Sequence, residues 1–310
     1  EFCCDNKGHV IVTIGEYSVG GPEGIWRHGV SLFWGPKNPL NWVDNISHTP
    51  LGVTLRKRVA WDSCVGLSMQ YSRELNMKES AQIRKLSLWI FFLPLIAINL
   101  CLFISVNYHL FESTIFQVNQ IGRSGFTIPY LDGSVSISRA SRTFPQFLIF
   151  KPSMIITGML LFYYWNYNNN LICKIRNTEN FKYKFRLFGI LSAIFLIIHS
   201  IFLGIKFDIQ LYKLFRRVVL LLFIIFELIA QGILVYYLYN IKDKISDITN
   251  KKVLIIKILL VSVLVIVAIA SLPILITKGN THFKHALEWN YFVGVITFYL
   301  LTFFFWKRTT

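Results

Sequence analysis

The last long apolar run of the chain carries four polar residues that recur at helical spacing. Glu288, Tyr291, Tyr299 and Thr302, with Val295 between them, are separated by three or four residues or by two helical turns. A helix would therefore place a carboxylate, two phenols and a hydroxyl on one face. Such groups can transfer protons, hold the polar part of a ligand or pair with neighbouring helices. For Glu288 two simpler roles stay open, solvation at the helix start and stabilisation of the positive helix end.

A second polar pair lies in an earlier apolar run. Glu227 and Gln231 are four residues apart, so they share one helical face. We expect Glu227 to be paired or protonated between helices, because burying an isolated charge is costly. His199 lies in another apolar run and is expected to be a hydrogen-bonded packing residue rather than a catalyst.

The same residues do not form a recognised catalytic or metal-binding pattern. His282, His285 and Glu288 are three residues apart, which spreads them over about 120° of a helix and lacks the order of a zinc-binding helix. The sequence predicts no metal ion, no cofactor and no catalytic residue. It contains neither a nucleophile elbow nor any other familiar constellation.

The elements that carry these residues are membrane spans. Hydrophobic residues make up 54% of the chain, charged residues only 15%, and the mean hydropathy is +0.50. Six runs approach the roughly 20 apolar residues that cross a bilayer. The sequence predicts an all-α, polytopic membrane helix bundle whose spans cover 86–106, 147–165, 187–205, 218–239, 258–277 and 289–306.

Residue type also predicts the environment of the span ends. Lys151, Pro152 and Lys257 are tolerated near an interface, where a lysine extends its ammonium group to water. Trp165, Trp289 and Trp306 lie at span ends and are typical of an interfacial aromatic belt.

The distribution of basic residues predicts the orientation. Lys and Arg total sixteen in one set of span flanks and nine in the other set. By the positive-inside rule both termini are cytoplasmic. The net charge of +16 then reflects the orientation of the spans and attraction to anionic lipids. No nucleic-acid partner is predicted, because no basic patch alternates with stacking aromatic residues.

The first 76 residues differ from the rest. Residues 1–76 hold seven basic and seven acidic residues, so the whole net charge lies in 77–310. Their one alternating segment, His9 to Val19, predicts a strand and leaves their overall fold uncertain. We consider Met77 the natural start of a six-span domain of residues 77–310, with 1–76 a fusion or a translation of upstream sequence. A small cytoplasmic domain is the alternative.

Two short motifs resemble a known family. The segment ISRASRTFP, Ile137 to Pro145, precedes the second span, and LEWNYFVGVITFYLLTF, Leu287 to Phe303, forms the last one. Both resemble motifs of the Frag/DRAM/Sfk family of six-span proteins, related to lipid-remodelling factors of GPI anchors and to damage-regulated autophagy modulators. The matching positions are Ser138, Pro145, Glu288, Trp289, Tyr299, Thr302 and Phe303.

What the resemblance implies is a function in membrane lipid binding or organisation. Our first expectation is an accessory factor, not an enzyme, whose long first loop and last span form a lipid site with membrane lipids as partners. The family commonly has an acidic or polar residue and a glycine where this chain has Arg139 and Ser141. Arg139 and Arg142 would suit an anionic headgroup or pair with Glu288. Two alternatives stay open: a lipid-modifying enzyme that uses Glu288, His199 and Asp132, and a small-solute transporter.

Overall fold

The computed structural model has two units, residues 1–75 and 76–310. It describes residues 2–4, 10–13, 31–34, 52–111, 114, 127–176, 178, 183–205, 210–277 and 279–307, with side chains from residue 78 onward apart from 210, 213, 275 and 276. In the first unit, strands β1 (Phe2–Cys4), β2 (Val10–Thr13) and β3 (Ser31–Trp34) form an antiparallel sheet in the order β1-β2-β3. Strand β2 lies within the predicted segment His9 to Val19, and the remainder of that segment lies outside the described residues.

The chain is otherwise helical where it is described, and the predicted fold class is confirmed. Six helices are long and apolar enough to cross a membrane. The helices are α1 (Gly52–Val106), α2 (Pro129–Asp132), α3 (Ile137–Ser141), α4 (Gln146–Arg176), α5 (Lys184–Phe202), α6 (Gln210–Asn240), α7 (Lys251–Ile276) and α8 (Thr281–Phe305). The spanning parts are Lys78–Val106 of α1, α4, α5, Leu214–Asn240 of α6, Lys251–Ile274 of α7, and α8.

Local sequence explains where several helices begin and end. The Asn250 side chain accepts a hydrogen bond from the backbone N–H of Lys252, which caps α7, and Ser136 caps α3 through the N–H of Arg139. Between α7 and α8 the chain turns through Gly279 at φ +98°, a conformation that favours glycine.

The spans pack in chain order, each of α4 to α8 against the next. Helix α1 contacts α4 and α8 through long side chains: Lys174 of α4 pairs with Glu79, and the guanidinium of Arg84 lies 4.3 Å from the ring centre of Phe303. At the end of α8, the backbone N–H of Asn250 donates to the carbonyl of Phe305 at 2.9 Å. One continuous apolar core runs through all six spanning helices.

The structure corrects two predictions about span ends. Lys257 does not extend to the interface; it is fully buried, because helix α7 begins at Lys251 and places Lys257 against α8. Trp165, Trp289 and Trp306 are at most 2% exposed, so their rings fill the protein core rather than an interfacial belt. Each of these rings contributes a large apolar area to the packing between spans.

Candidate functional site

Glu288 meets the first loop at the start of α3. Its carboxylate accepts hydrogen bonds from the backbone N–H groups of Ile137 and Ser138, the first two residues of that helix. These N–H groups have no partner within the helix, and the positive helix end favours a carboxylate. Glu288 thus stabilises the start of a helix, although it is the start of α3 and not that of its own helix.

Three further contacts join the loop to α8 around this point. The Trp289 Nε1 donates to the carbonyl of Val135 at 2.7 Å, and the Asn290 amide donates to the carbonyl of Tyr130 at 2.7 Å. The Tyr130 and Trp289 rings meet edge to face with centres 4.9 Å apart. The loop is therefore fastened to α8 by both polar and aromatic contacts.

Gly133 allows the loop to approach α8 closely. Its φ is +58°, and a Cβ atom there would lie 1.7 Å from the carbonyl oxygen of His282. The neighbouring His285 Nδ1 is 3.0 Å from the carbonyl oxygen of Gly133. Only glycine fits both the conformation and the space at this position.

The other loop residues of the predicted motif take different positions. Ser138 lies beside Glu288, and its hydroxyl is 3.4 Å from that of Ser136. Pro145 follows a cis peptide bond directly before α4. Within the described residues Glu288 forms no ion pair with Arg139 or Arg142; its partners are backbone N–H groups instead.

A second polar cluster lies in the middle of the bundle around Glu227. The carboxylate accepts hydrogen bonds from the Ser192 hydroxyl at 2.5 Å, from the Gln231 amide at 3.0 Å and from the Tyr299 hydroxyl. Gln231 also donates to the backbone carbonyl of Val295 at 3.4 Å. The cluster joins α5, α6 and α8, and Glu227, Gln231 and Ser192 are fully buried.

Next to it, Thr302 connects two residues that the sequence analysis had not singled out as site residues. The Lys257 ammonium group donates to the Thr302 hydroxyl at 2.8 Å, and the Tyr164 hydroxyl is 3.2 Å from the same oxygen. The ammonium group also lies 4.1 Å from the ring centre of Phe298, a cation–π contact. Two features of the sequence could have indicated these residues: Lys257 is a lysine inside an apolar run, and Tyr164 is a tyrosine in the second span.

An apolar cavity of about 120 Å³ separates the two carboxylates. Its walls come from α1, α3, α4, α5, α6 and α8 and are almost entirely apolar, although the lining residues include Glu288, Ser138, Glu227, Tyr299 and Tyr291. No lysine or arginine lines it among the residues that the structure describes. The polar stripe of α8 thus faces this cavity and the Glu227 cluster, and at Thr302 it faces Lys257 and Tyr164.

His199 lines the same cavity from the last turn of α5. Its ring hydrogen-bonds the backbone of Arg216, which joins the end of α5 to α6. Its Nδ1 is buried and has no partner in the described part of the protein, as is also true of the Tyr291 hydroxyl. These two atoms could bond a ligand's polar group.

Asp132 does not join this site. One of its oxygens accepts from the N–H of Ser134 at 2.9 Å and the other accepts from the N–H of Ile128 at 3.2 Å. Its role is to hold the turn around α2. Among the described residues, no group of three or more His, Cys, Asp and Glu side chains is placed to hold a metal ion.

Comparison with known proteins gives no match. No protein-family model, no curated protein and no solved structure is significantly similar to this chain.

Proposed function

We propose that this integral membrane protein binds a membrane lipid by taking a short segment of one hydrocarbon chain into the cavity. The observation that carries the proposal is the apolar cavity of about 120 Å³ between spanning helices. A fully enclosed, empty cavity of this size would cost about 3 kcal/mol, at about 24 cal/mol per Å³; this figure is an upper limit here because the cavity is partly open. A hydrocarbon chain that fills it recovers much of that free energy.

The size of the cavity defines what enters it. An apolar protein cavity of about 150 Å³ holds one benzene molecule, so this smaller cavity holds a few methylene groups and not a whole lipid. The rest of the lipid stays among the surrounding lipids. This favours an accessory protein that binds or organises lipid.

The resemblance to the Frag/DRAM/Sfk family supports the same proposal. The two motifs lie far apart in the chain, and Ser138 of one bonds Glu288 of the other at the cavity wall. We propose membership of that family and a non-catalytic role in lipid or lipid-anchor remodelling. With both termini cytoplasmic, the Glu288 end of the cavity faces the non-cytoplasmic leaflet.

Native mass spectrometry of the gently extracted protein tests the proposal. Ile98→Phe adds bulk at a cavity-lining residue that is 1% exposed, whereas Ile96→Phe makes the same change on the same helix at a residue that is 60% exposed. We expect the wild type and Ile96→Phe to retain a lipid and Ile98→Phe to lose it. Equal lipid retention by all three folded proteins would contradict the proposal.

A lipid-modifying enzyme is the second candidate, favoured by the unpartnered Nδ1 of His199 at the cavity wall. Glu288 lines the same cavity, so a base and a carboxyl group both face a bound chain. Incubation with radiolabelled membrane lipids distinguishes the two functions. Product that forms with the wild type but not with His199→Gln or Glu288→Gln, while lipid binding persists, favours the enzyme.

A further inference from the structure

Three arginines lie near one another beside the cavity, at the end of the bundle where α5 ends and α6 begins. Arg142 is close enough to Arg139 and Arg216 for their charges to act on it. Burial, and then the repulsion by these two neighbours, lowers the pKa of Arg142. Positive charges from the first loop and from α6 thus lie near one another here.

Close backbone and side-chain contacts hold this arrangement. A Cβ atom at Gly204 would lie 3.0 Å from the carbonyl oxygen of Arg142, so the end of α5 packs against the loop. The Tyr212 hydroxyl donates to the carbonyl of Phe202 at 2.7 Å, and the Arg216 guanidinium lies 5.5 Å from the Tyr212 ring centre. Arg142 and Arg216 are thus positioned by packing, without an acidic partner among the residues that the structure describes.

None of the three guanidinium groups has an ion-pair partner within the described residues. The Nε of Arg216 is buried and has no hydrogen-bond acceptor in this part of the protein. Arginine presents a planar array of donors that matches the oxygens of a phosphate group. A group of arginines that repel one another and lack an acceptor is therefore suited to an anion.

The position relative to the cavity indicates where an anionic group can bind. Inside the cavity an anion would meet Glu227 and Glu288 without any lysine or arginine among the described lining residues. Outside it, Arg139 follows the lining residue Ser138, and Arg216 is bonded through its backbone to the lining residue His199. A lipid chain can thus occupy the cavity while its charged group lies on the arginines.

We propose that Arg139, Arg142 and Arg216 bind the phosphate group of a phospholipid whose hydrocarbon chain enters the cavity. This inference rests on the proposed lipid-binding function and adds the class of lipid. It assigns Arg216 to the site in addition to the loop arginines. Diacylglycerol, which has the same chains without phosphate, would bind more weakly.

The test uses the full chain in nanodiscs of phosphatidylcholine. Spin-labelled phosphatidic acid and spin-labelled diacylglycerol with identical chains report, by electron paramagnetic resonance, the fraction of lipid held by the protein. We expect phosphatidic acid to be preferred, and Arg142→Gln or Arg216→Gln to weaken that preference about five-fold. Arg217→Gln removes the same charge from the next residue, which is exposed, and is expected to change it little.

Each outcome has a distinct meaning. Equal binding of both lipids, with loss of both in Ile98→Phe, would overturn the phosphate site and leave the lipid-binding function intact. An equal effect of Arg217→Gln would attribute the preference to general surface charge and overturn the site. Displacement of phosphatidic acid by millimolar inorganic phosphate, without chain dependence, would assign the arginines to free phosphate instead. Lipid binding that Ile98→Phe leaves unchanged would contradict the proposed function itself.

Discussion

The backbone N–H of Ser138, in the short helix α3, donates a hydrogen bond to the carboxylate of Glu288 in α8. This contact stabilises the start of α3 and at the same time fastens the first loop to the last span. Both residues line the cavity. A change at Glu288 therefore affects the loop, the last span and the cavity wall together.

Loss of the Glu288 carboxylate should loosen the loop. We expect Glu288→Ala to expose two unpartnered N–H groups and to destabilise loop docking by about 1 kcal/mol, the usual cost of losing a helix cap. Hydrogen exchange measured by mass spectrometry on residues 127–145 would reveal this as faster exchange. Glu288→Gln keeps one acceptor oxygen and should exchange at an intermediate rate; unchanged exchange in both variants would remove the capping role.

Glu227 should be the more important carboxylate for stability. Glu227→Ala removes an acceptor from Ser192 and Gln231 and takes the Glu227 acceptor from the Tyr299 hydroxyl, at an expected cost of about 1–3 kcal/mol. Thermal unfolding in detergent, followed by circular dichroism, would show a lower Tm. Glu227→Gln should lower it less, and a Tm equal to that of the wild type for Glu227→Ala would show that the cluster contributes nothing.

Two glycines in spanning helices should respond differently to alanine. A Cβ atom at Gly189 would lie 2.3 Å from the Trp165 ring, whereas at Gly232 the nearest atom is 3.8 Å away. Gly189→Ala should destabilise the α4–α5 contact by about 1–3 kcal/mol, as overpacking does. Gly232→Ala is the matched control and should be neutral or slightly stabilising, because alanine is the better helix former. The same thermal unfolding assay compares them, and a lower Tm for Gly232→Ala alone would reverse the expectation.

The Tyr130 contact should make loop docking sensitive to alkaline pH. Burial raises the pKa of Tyr130 above its usual value of 10, while its hydroxyl donates to Asn99 at 3.0 Å. The folded state thus holds the Tyr130 proton more tightly than the unfolded state does. The contribution of this hydroxyl to loop docking is therefore complete below pH 10 and is lost as pH rises through the folded pKa. Hydrogen exchange of the loop, corrected for the intrinsic pH dependence, should accelerate above pH 10 in the wild type. In Tyr130→Phe this excess acceleration should be absent, and its persistence there would assign it to another group.

Cysteine labelling should reveal the orientation of the spans. In a background without the native cysteines, Leu131→Cys and Lys244→Cys each place a thiol at an exposed position at opposite ends of the bundle. If both termini are cytoplasmic, a membrane-impermeant maleimide added to sealed right-side-out membranes labels Leu131→Cys alone. Labelling of Lys244→Cys alone would reverse the orientation.

Hydropathy was sufficient to predict the six spans, because a spanning helix satisfies its backbone hydrogen bonds within its own apolar run and needs no partner elsewhere in the chain. Helical spacing also predicted that Glu227 and Gln231 lie on one face, where the structure joins them by a hydrogen bond. Spacing alone carries this information because both residues belong to one helix.

The remaining contacts depend on which helices meet, and hydropathy does not contain that information. Lys257 was expected at the interface, since nothing near it in the chain indicates that Thr302 and the Phe298 ring will surround its ammonium group. Arg216 was counted only as an orienting charge, because its approach to Arg142 depends on the packing of α5 against the loop.

The Glu227 cluster also fixes how far a chain can enter the cavity. Glu227 and Tyr299 line it, and their polar groups are hydrogen-bonded to each other, so the wall that they form needs no polar partner from a ligand. A hydrocarbon chain that reaches this wall would find no room beyond it. The protein would then hold the same few methylene groups of a long chain as of a short one, and would distinguish lipids by their headgroups rather than by their chain length.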